Sequence, residues 1–300
     1  MQYQSSCGAF SVMPFNKVAA TMIQSGPSHA LDGRNRLIAW ASIIFDHVTE
    51  ADGSRRAVSP GGAGLFAALA MAPWAGETQI VAGVGRDFAS LAGGLLEAHG
   101  VGTGGLVERD AHSIQSQLQY RNDGSRSETP VFGDDHFARL QVAADEIPEN
   151  ILPATGTYIF QDVAIGFWEG VRVRREVLGE VLWELHEGAT QAGWHAGLRA
   201  AARSCAIVSL NKAEATRLFG PADGDLELLA RAATAFGTCV ALRVGDKGAY
   251  LATNDALLRI PPVAGPVVDV TGGGNAFSGG LLAGHCERPG DWAHAARCAA

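Results

Sequence analysis

The sequence predicts one α/β domain, a three-layer sandwich in which helices cover both faces of a mostly parallel sheet. Short apolar runs rich in Val, Ile and Leu alternate with segments of helical periodicity along most of the 300 residues. One region, 112–132, instead alternates polar and apolar residues around a turn at Asn122-Asp123-Gly124. That pattern favours an antiparallel hairpin projecting from the domain as part of a small β-lid.

The predicted elements follow one another in regular order. Strands are predicted at 37–45, 79–82, 158–161, 181–185, 205–210 and 238–244, with a hairpin of 249–252 and 257–260. Helices are predicted at 64–72, 88–99, 168–178, 212–219 and 226–236. A turn at Asp52-Gly53 predicts that 47–58 supplies the second part of the lid, and Asp87 is expected to cap the helix that follows it.

Composition narrows the class of protein. A net charge of −8 argues against a nucleic-acid-binding surface, and no run of residues resembles a membrane span. The five cysteines are an odd number without a Cys-x-x-Cys, which fits a reduced, cytoplasmic protein in which Cys205 and Cys239 are inert core residues. The nine histidines show no metal-ligand spacing.

The two ends of the chain are expected to differ from the middle. Residues 1–36 lack a sustained periodicity and are predicted to form a flexible extension, so the domain is assigned to 37–300. Asp291 is predicted to cap a helix that runs from Trp292 to the last residue, Ala300. Because the chain stops inside this helix, we expect the C-terminus to be incomplete.

A glycine run near the C-terminus is the most informative motif. Val267–Val270 is predicted to be the edge of a strand, and Thr271 is predicted to cap the helix that follows. Gly272, Gly273 and Gly274 would then leave backbone N–H groups unpaired at the helix N-terminus. Such a terminus favours a phosphate group, because the N–H groups and the helix dipole both face the anion.

This stretch resembles the C-terminal signature of the PfkB (ribokinase-like) carbohydrate kinases, Asp-x-Thr-Gly-Ala-Gly-Asp-x-Phe-x-Gly-Gly. The matching residues are Asp269, Thr271, Gly272, Gly274, Phe277, Gly279 and Gly280. The resemblance implies a ribokinase-like fold and a catalytic site at Gly272, Gly273, Gly274 and residue 275. Family members have a catalytic Asp at that last position, whereas this chain has Asn275. An amide can hold a hydroxyl group but has no useful basicity.

Further matches imply a substrate pocket. Pro60-Gly61-Gly62 falls where the family has Gly-Gly-x-x-x-Asn, so Gly61 and Gly62 are expected to approach a sugar closely. Phe66 stands where the family's Asn would bind that sugar, and a phenyl ring makes no such hydrogen bond. Asp46 matches the sugar-binding Asp at the end of the first strand; an ordinary strand-end Asp is the alternative.

Other matches imply a site for ATP with Mg²⁺. Asn211 and Glu214 match Asn-x-x-Glu, whose Glu holds Mg²⁺ through water; a helix capping box is the alternative interpretation. Arg243, Gly245 and Gly248 match the loop under the nucleotide, with Arg243 in place of Thr. In the family, the positions of Asp269 and Thr271 help to hold a monovalent cation such as K⁺. We therefore assign Thr271 also to cofactor binding.

The resemblance implies phosphoryl transfer from ATP to a hydroxymethyl group of a sugar or nucleoside-like molecule, slowed by Asn275. The alternative is a catalytically inactive PfkB-fold protein that binds a nucleotide or sugar and acts through partners. The spelling Gly-Gly-Gly-Asn also resembles a divergent fungal branch akin to the maintenance-of-killer proteins. A homodimer formed through the lid is a further expectation of the resemblance.

Overall fold

The computed structural model describes residues 12–14, 35–123, 125–267 and 269–300. Its strands are β1 Val12–Pro14, β2 Arg36–Trp40, β3 Ile44–Thr49, β4 Ser59–Gly61, β5 Glu77–Gly85, β6 Val101–Asp110, β7 Gln115–Tyr120, β8 Arg126–Pro130, β9 Gly156–Gln161, β10 Glu180–Leu185, β11 Ile207–Asn211, β12 Cys239–Arg243, β13 Ala249–Ala252 and β14 Ala256–Ile260. Its α-helices are α1 Ala63–Met71, α2 Phe88–Ala92, α3 Leu95–Ala98, α4 Asp134–Arg139, α5 Ile165–Val173, α6 Arg175–Leu178, α7 Glu187–Thr190, α8 Ala196–Ala202, α9 Lys212–Phe219, α10 Asp225–Phe236, α11 Gly273–Glu287 and α12 Trp292–Ala299.

The central sheet confirms the predicted α/β sandwich. Its order is β1-β14-β13-β12-β11-β10-β9-β2-β5-β6, and the strands from β12 to β6 in that order are parallel. One apolar core lies between the sheet and helices α5, α8, α9 and α10, around Trp183. A second core lies on the opposite face, under α1, α11 and α12, around Tyr158. Parallel strands place all their carboxyl ends at one edge of the sheet, where such folds bind ligands.

The predicted lid is confirmed as a separate sheet of order β4-β3-β7-β8, with β7 and β8 antiparallel. Asp87 connects the start of this small sheet to α2, but its side chain makes no capping hydrogen bond to that helix. The Asp87 carboxylate instead accepts hydrogen bonds from the backbone N–H of Ser113 at 2.7 Å and from Gln115 Nε2 at 3.2 Å. The prediction of a capping side chain was therefore wrong, since this carboxylate joins α2 to the start of the lid.

The predicted first strand, 37–45, is two strands in different sheets. β2 belongs to the central sheet, and β3 belongs to the lid. Between them the carbonyl of Ser42 accepts the N–H of Gly64, so this turn is bonded to the start of α1. The apolar run is continuous because Ile43 and Phe45 are buried in the same core as Leu37 of β2, so periodicity alone gave no sign of the break.

Glycines account for two further differences. The predicted helix 88–99 is split into α2 and α3 at Gly93 and Gly94, which both have positive φ. β6 was not predicted, because Gly102, Gly104 and Gly105 interrupt its apolar pattern. A Cβ at residue 105 would overlap the backbone carbonyl of Ile80, so this glycine lets β6 lie close against β5.

Other segments also differ from the prediction. The predicted helix 168–178 comprises α5 and α6, and α7 and α8 were not predicted. The predicted strand edge at 267–270 is wrong for its described residues: they form no strand, and Val267 and Val270 are 77% and 78% exposed. These valines lack neighbouring strands to cover them, which an apolar run alone does not reveal.

The ends of the chain lie partly outside the description. Of the predicted extension 1–36, residues 1–11 and 15–34 lie outside the described residues. Val12–Pro14 forms an antiparallel edge strand on β14, and Arg36 begins β2. Within the described ranges, no helix is long and apolar enough to cross a membrane. The predicted cap of the last helix is confirmed, because the Asp291 side chain accepts the N–H of His294 at 2.9 Å.

Candidate active site

A buried carboxylate lies at the carboxyl edge of the central sheet, directly beside Asn275. Glu184, near the end of β10, is only 2% exposed. Its carboxylate accepts hydrogen bonds from the Tyr158 hydroxyl at 2.9 Å and from Asn275 Nδ2 at 3.2 Å. Arg243 at the end of β12 completes the group, with Nη1 at 2.8 Å from Glu184 Oε1. Three donors therefore compensate for the burial of one negative charge.

Tyr158 takes part in this group as a permanent donor. Burial raises the pKa of its hydroxyl well above the ordinary value, and the neighbouring Glu184 charge acts in the same direction. The Tyr158 hydroxyl also accepts a hydrogen bond from Asn275 Nδ2 at 3.1 Å. The Asn275 side chain is thus held by β9 and β10 through both of its partners.

Arg243 lies against the start of α11, where the glycine run begins the helix. A Cβ at residue 274 would overlap Arg243 Nη1, so Gly274 permits the guanidinium to approach the helix backbone. Arg243 Nη2 is 3.8 Å from Glu214 Oε2, while Nε is buried and has no hydrogen-bond acceptor among the described residues. The guanidinium therefore places a positive charge and an unused donor at the helix N-terminus.

Phe66 makes the equivalent contact at Gly272, and it links the glycine run to the lid. A Cβ at residue 272 would overlap the Phe66 ring. The ring also lies near Gly61, where an added Cβ would be 3.7 Å from Phe66 Cε2 and 3.0 Å from Asp46 Oδ2. The predicted substrate residues are thus next to one another, beside the start of α11. Gly62, with φ of 92°, packs tightly on the backbone of 42–44.

Asn211 and Glu214 form the capping box that was the alternative interpretation. Asn211 Oδ1 accepts the N–H of Glu214 at 2.9 Å, and Glu214 Oε2 accepts the N–H of Asn211 at 2.7 Å. Burial raises the pKa of Glu214 despite the hydrogen bond from Asn211 and the nearby Arg243. The capping role is confirmed, and a role toward Mg²⁺ stays a prediction.

The remaining predicted residues lie in the turns around this edge. Gly245 and Gly248 both have positive φ and shape the turn between β12 and β13. Thr271 does not cap α11, since the N-cap is Gly272 with φ of 72° and no side-chain capping bond. The Thr271 N–H is bonded to Asp269 Oδ1 at 2.8 Å, and the Gly273 N–H to the carbonyl of Val270 at 3.2 Å. The Gly273 N–H is therefore already bonded, contrary to the sequence prediction.

The family model "pfkB family carbohydrate kinase" matches residues 35–300. The chain belongs to this family. Among solved structures, a Burkholderia thailandensis nucleoside kinase in complex with inosine is 21% identical, with a TM-score of 0.65 over 88% of this chain and 86% of that one. No curated protein matched the chain.

Two further structures show the same fold. Aminoimidazole riboside kinase from Salmonella enterica is 22% identical, with a TM-score of 0.66 over 88% of this chain and 91% of that one. Fructokinase from Vibrio cholerae O395 is 22% identical, with a TM-score of 0.68 over 89% and 90% of the two chains. The ribokinase-like fold predicted from the sequence is therefore confirmed.

Glu184 and Tyr158 are residues of this candidate site that sequence reasoning missed. Glu184 lies in the run Val-Leu-Trp-Glu-Leu, where a charged residue interrupts an otherwise apolar buried strand. A charge in such a position needs a partner, and this was the available signal. Tyr158 gave no signal, because an aromatic residue in a buried strand is ordinary.

Proposed function

We propose that the chain is a slow cytoplasmic kinase that transfers the γ-phosphoryl group of ATP, with Mg²⁺, to a hydroxymethyl group of a sugar or nucleoside-like molecule. The supporting observation is the meeting of three separate family motifs. Arg243 lies against Gly274 and its Nη2 is 3.8 Å from Glu214 Oε2, while the Phe66 ring lies against Gly272 and near Gly61 of the lid sheet. Kinase-type function agrees with the family to which the chain belongs.

The residues present suit a phosphate group. Arg243 keeps its buried Nε donor without an acceptor among the described residues, and a guanidinium pairs well with phosphate oxygens. Glu214 would hold Mg²⁺ through water, since Mg²⁺ keeps several waters and needs few carboxylates. Bound Mg²⁺ would supply charge neutralisation to the phosphates.

Asn275 explains why turnover should be slow. Its Nδ2 is bonded to Tyr158 and Glu184, and an amide cannot take a proton from a substrate hydroxyl. A general base typically contributes a factor of ~10²–10⁴ to the rate. Positioning and electrostatic stabilisation account for most of phosphoryl transfer, so a reaction without this base is chemically reasonable.

A second candidate is a catalytically inactive protein that binds a nucleotide or sugar and acts through partners. It is favoured by the contacts at the glycine run, because Phe66 covers Gly272 and Arg243 covers Gly274. A ligand phosphate at the helix N-terminus must then share this space with side chains of the protein itself. Binding without turnover is what this candidate predicts.

Three finer assignments belong to the same proposal. The sequence Gly-Gly-Gly-Asn at 272–275 supports placing this chain near the fungal maintenance-of-killer branch. Asp269, which holds the turn before Gly272, would help to bind K⁺. The lid sheet would be the contact surface of a homodimer.

Calorimetry with ATP and ADP, each with Mg²⁺, tests the nucleotide site. We expect binding by the unaltered chain and at least ten-fold weaker binding by the double variant E184Q/R243Q, which removes the guanidinium without leaving a buried carboxylate unpaired. Arg259→Gln is the matched control, since it removes an exposed guanidinium from β14, outside the predicted nucleotide-binding residues. Absence of nucleotide binding in the folded, unaltered chain would exclude the kinase.

A transfer assay then separates the two candidates. Fructose, inosine and aminoimidazole riboside begin the substrate panel, because they occur in the compared proteins' complexes or names. Slow formation of phosphorylated product supports the kinase. Nucleotide binding without product across the panel supports the inactive protein.

A further inference from the structure

Three side chains of metal-ligand type converge between the last two helices, away from the site described above. Glu287 is the last residue of α11, and His294 and Cys298 lie one turn apart on α12. One potential ligand atom from each of the three lies within 4.8 Å of the others. The sequence showed no metal-ligand spacing because the cluster needs a residue from a second helix.

The positions of these side chains are fixed by helix packing. Gly284 of α11 lets α12 approach closely, since a Cβ there would lie 2.9 Å from Cys298 Sγ. The Trp74 ring covers His294 edge-on, with ring centroids 6.2 Å apart. His294 and Cys298 are buried, whereas the Glu287 side chain is 36% exposed and gives the cluster an opening to solvent.

One imidazole nitrogen faces two partners in this cluster. His294 Nε2 lies 2.8 Å from Glu287 Oε2 and 3.4 Å from Cys298 Sγ. That nitrogen carries either one proton or one lone pair, so it serves the carboxylate as a donor or the thiol as an acceptor, but not both.

We propose that Glu287, His294 and Cys298 bind Zn²⁺ and thereby join α12 to α11. Oxygen, nitrogen and sulfur are the donor set that Zn²⁺ accepts, at about 2.0–2.3 Å from each atom. On binding, His294 coordinates through the Nε2 lone pair with its ring proton on Nδ1, and the thiol proton leaves to solvent. One carboxylate and one thiolate then neutralise the two charges of the ion, and water occupies the fourth position. The site is independent of nucleotide binding.

Titration of the full chain with Co²⁺, a coloured substitute for Zn²⁺, tests the assignment. We expect a thiolate-to-cobalt absorption band that saturates at one equivalent and disappears when Zn²⁺ is added. Cys298→Ser should abolish this band, whereas Cys239→Ala, which removes a buried thiol on β12, should retain it. No thiolate band, or an unchanged band in Cys298→Ser, would overturn the proposal.

A stability measurement tests Zn²⁺ binding without relying on substitutions at buried positions, which could prevent folding. Zn²⁺ at roughly 100 times its Kd should raise the Tm by about 5 °C, and a chelator should reverse this rise. Glu287→Gln alters a partly exposed side chain, so we expect it to fold and yet to bind Zn²⁺ at least ten-fold more weakly. Zn²⁺ affinity in folded Glu287→Gln equal to that of the unaltered chain would exclude this carboxylate as a ligand.

Discussion

Replacing Asn275 by Asp restores the family's carboxylate, but the structure places a second carboxylate beside it. Asn275 Nδ2 is 3.2 Å from Glu184 Oε1, so the introduced Asp would face the buried Glu184 with no donor between them. Two like charges at this distance repel by about 5 kcal/mol at an effective dielectric constant of about 20. The positive charge of Arg243 offsets part of this repulsion, because its guanidinium contacts Glu184.

Proton uptake by the introduced Asp sets an upper limit on how far the substitution lowers the unfolding free energy. Protonating an Asp side chain of ordinary pKa, about 3.9, costs a free energy of about 4 kcal/mol at pH 7 and about 1.5 kcal/mol at pH 5. We therefore expect Asn275→Asp to lose about 2–4 kcal/mol of unfolding free energy at pH 7. The folded-state pKa of the introduced carboxyl is raised, so the loss grows above the unfolded-state pKa and shrinks as the pH falls toward it.

Urea unfolding at pH 7 and pH 5 measures this difference. The double variant Glu184→Gln with Asn275→Asp keeps one buried carboxylate beside Arg243, so it should recover most of the stability. With the correct substrate it should also turn over about 10²-fold faster or more than the unaltered chain, if the base is what limits the rate. Wild-type stability of Asn275→Asp at pH 7, or no recovery in the double variant, would refute this reasoning.

Three other predictions concern the glycine run, the ring that covers it and the base of the lid. Gly274→Ala should lose about 1–3 kcal/mol of stability, because its Cβ displaces Arg243, whereas Gly273→Ala, with open space around the added Cβ, should lose none in urea unfolding. Phe66→Asn should bind a sugar or nucleoside at least ten-fold more tightly by calorimetry than Phe66→Ala, which opens the same space without a hydrogen-bonding group. Partial burial raises the pKa of Asp87, but hydrogen bonds from Ser113 and the nearby His112 together lower it below its ordinary value. Asp87 therefore contributes stability above its unfolded-state pKa that is lost as the pH falls through the folded-state value. The stability difference between the unaltered chain and Asp87→Asn, about 1 kcal/mol at pH 7, should therefore shrink as the pH falls below the unfolded-state pKa of about 3.9; a difference that does not change with pH would contradict the assignment.

The sequence by itself determined the fold class, the lid hairpin and the order of most elements. These depend on local periodicity and turn chemistry, which residues such as Asn122 and Asp123 carry within a few positions. It also identified the segments of the site, because short motifs at Asn211, Arg243 and Gly272–Gly274 specify where strands end and helices begin.

Only the tertiary structure decided what those residues contact. Glu184 is part of the site because β9, β10 and β12 run parallel in one sheet. Tyr158 in the middle of β9, Glu184 near the end of β10 and Arg243 at the end of β12 thus lie together beside Asn275. The glycines at 272 and 274 admit Phe66 and Arg243, side chains distant in sequence, where the motif had indicated a space for phosphate alone. Contacts between distant segments depend on strand order and helix packing, and a linear pattern of residue types does not contain that information.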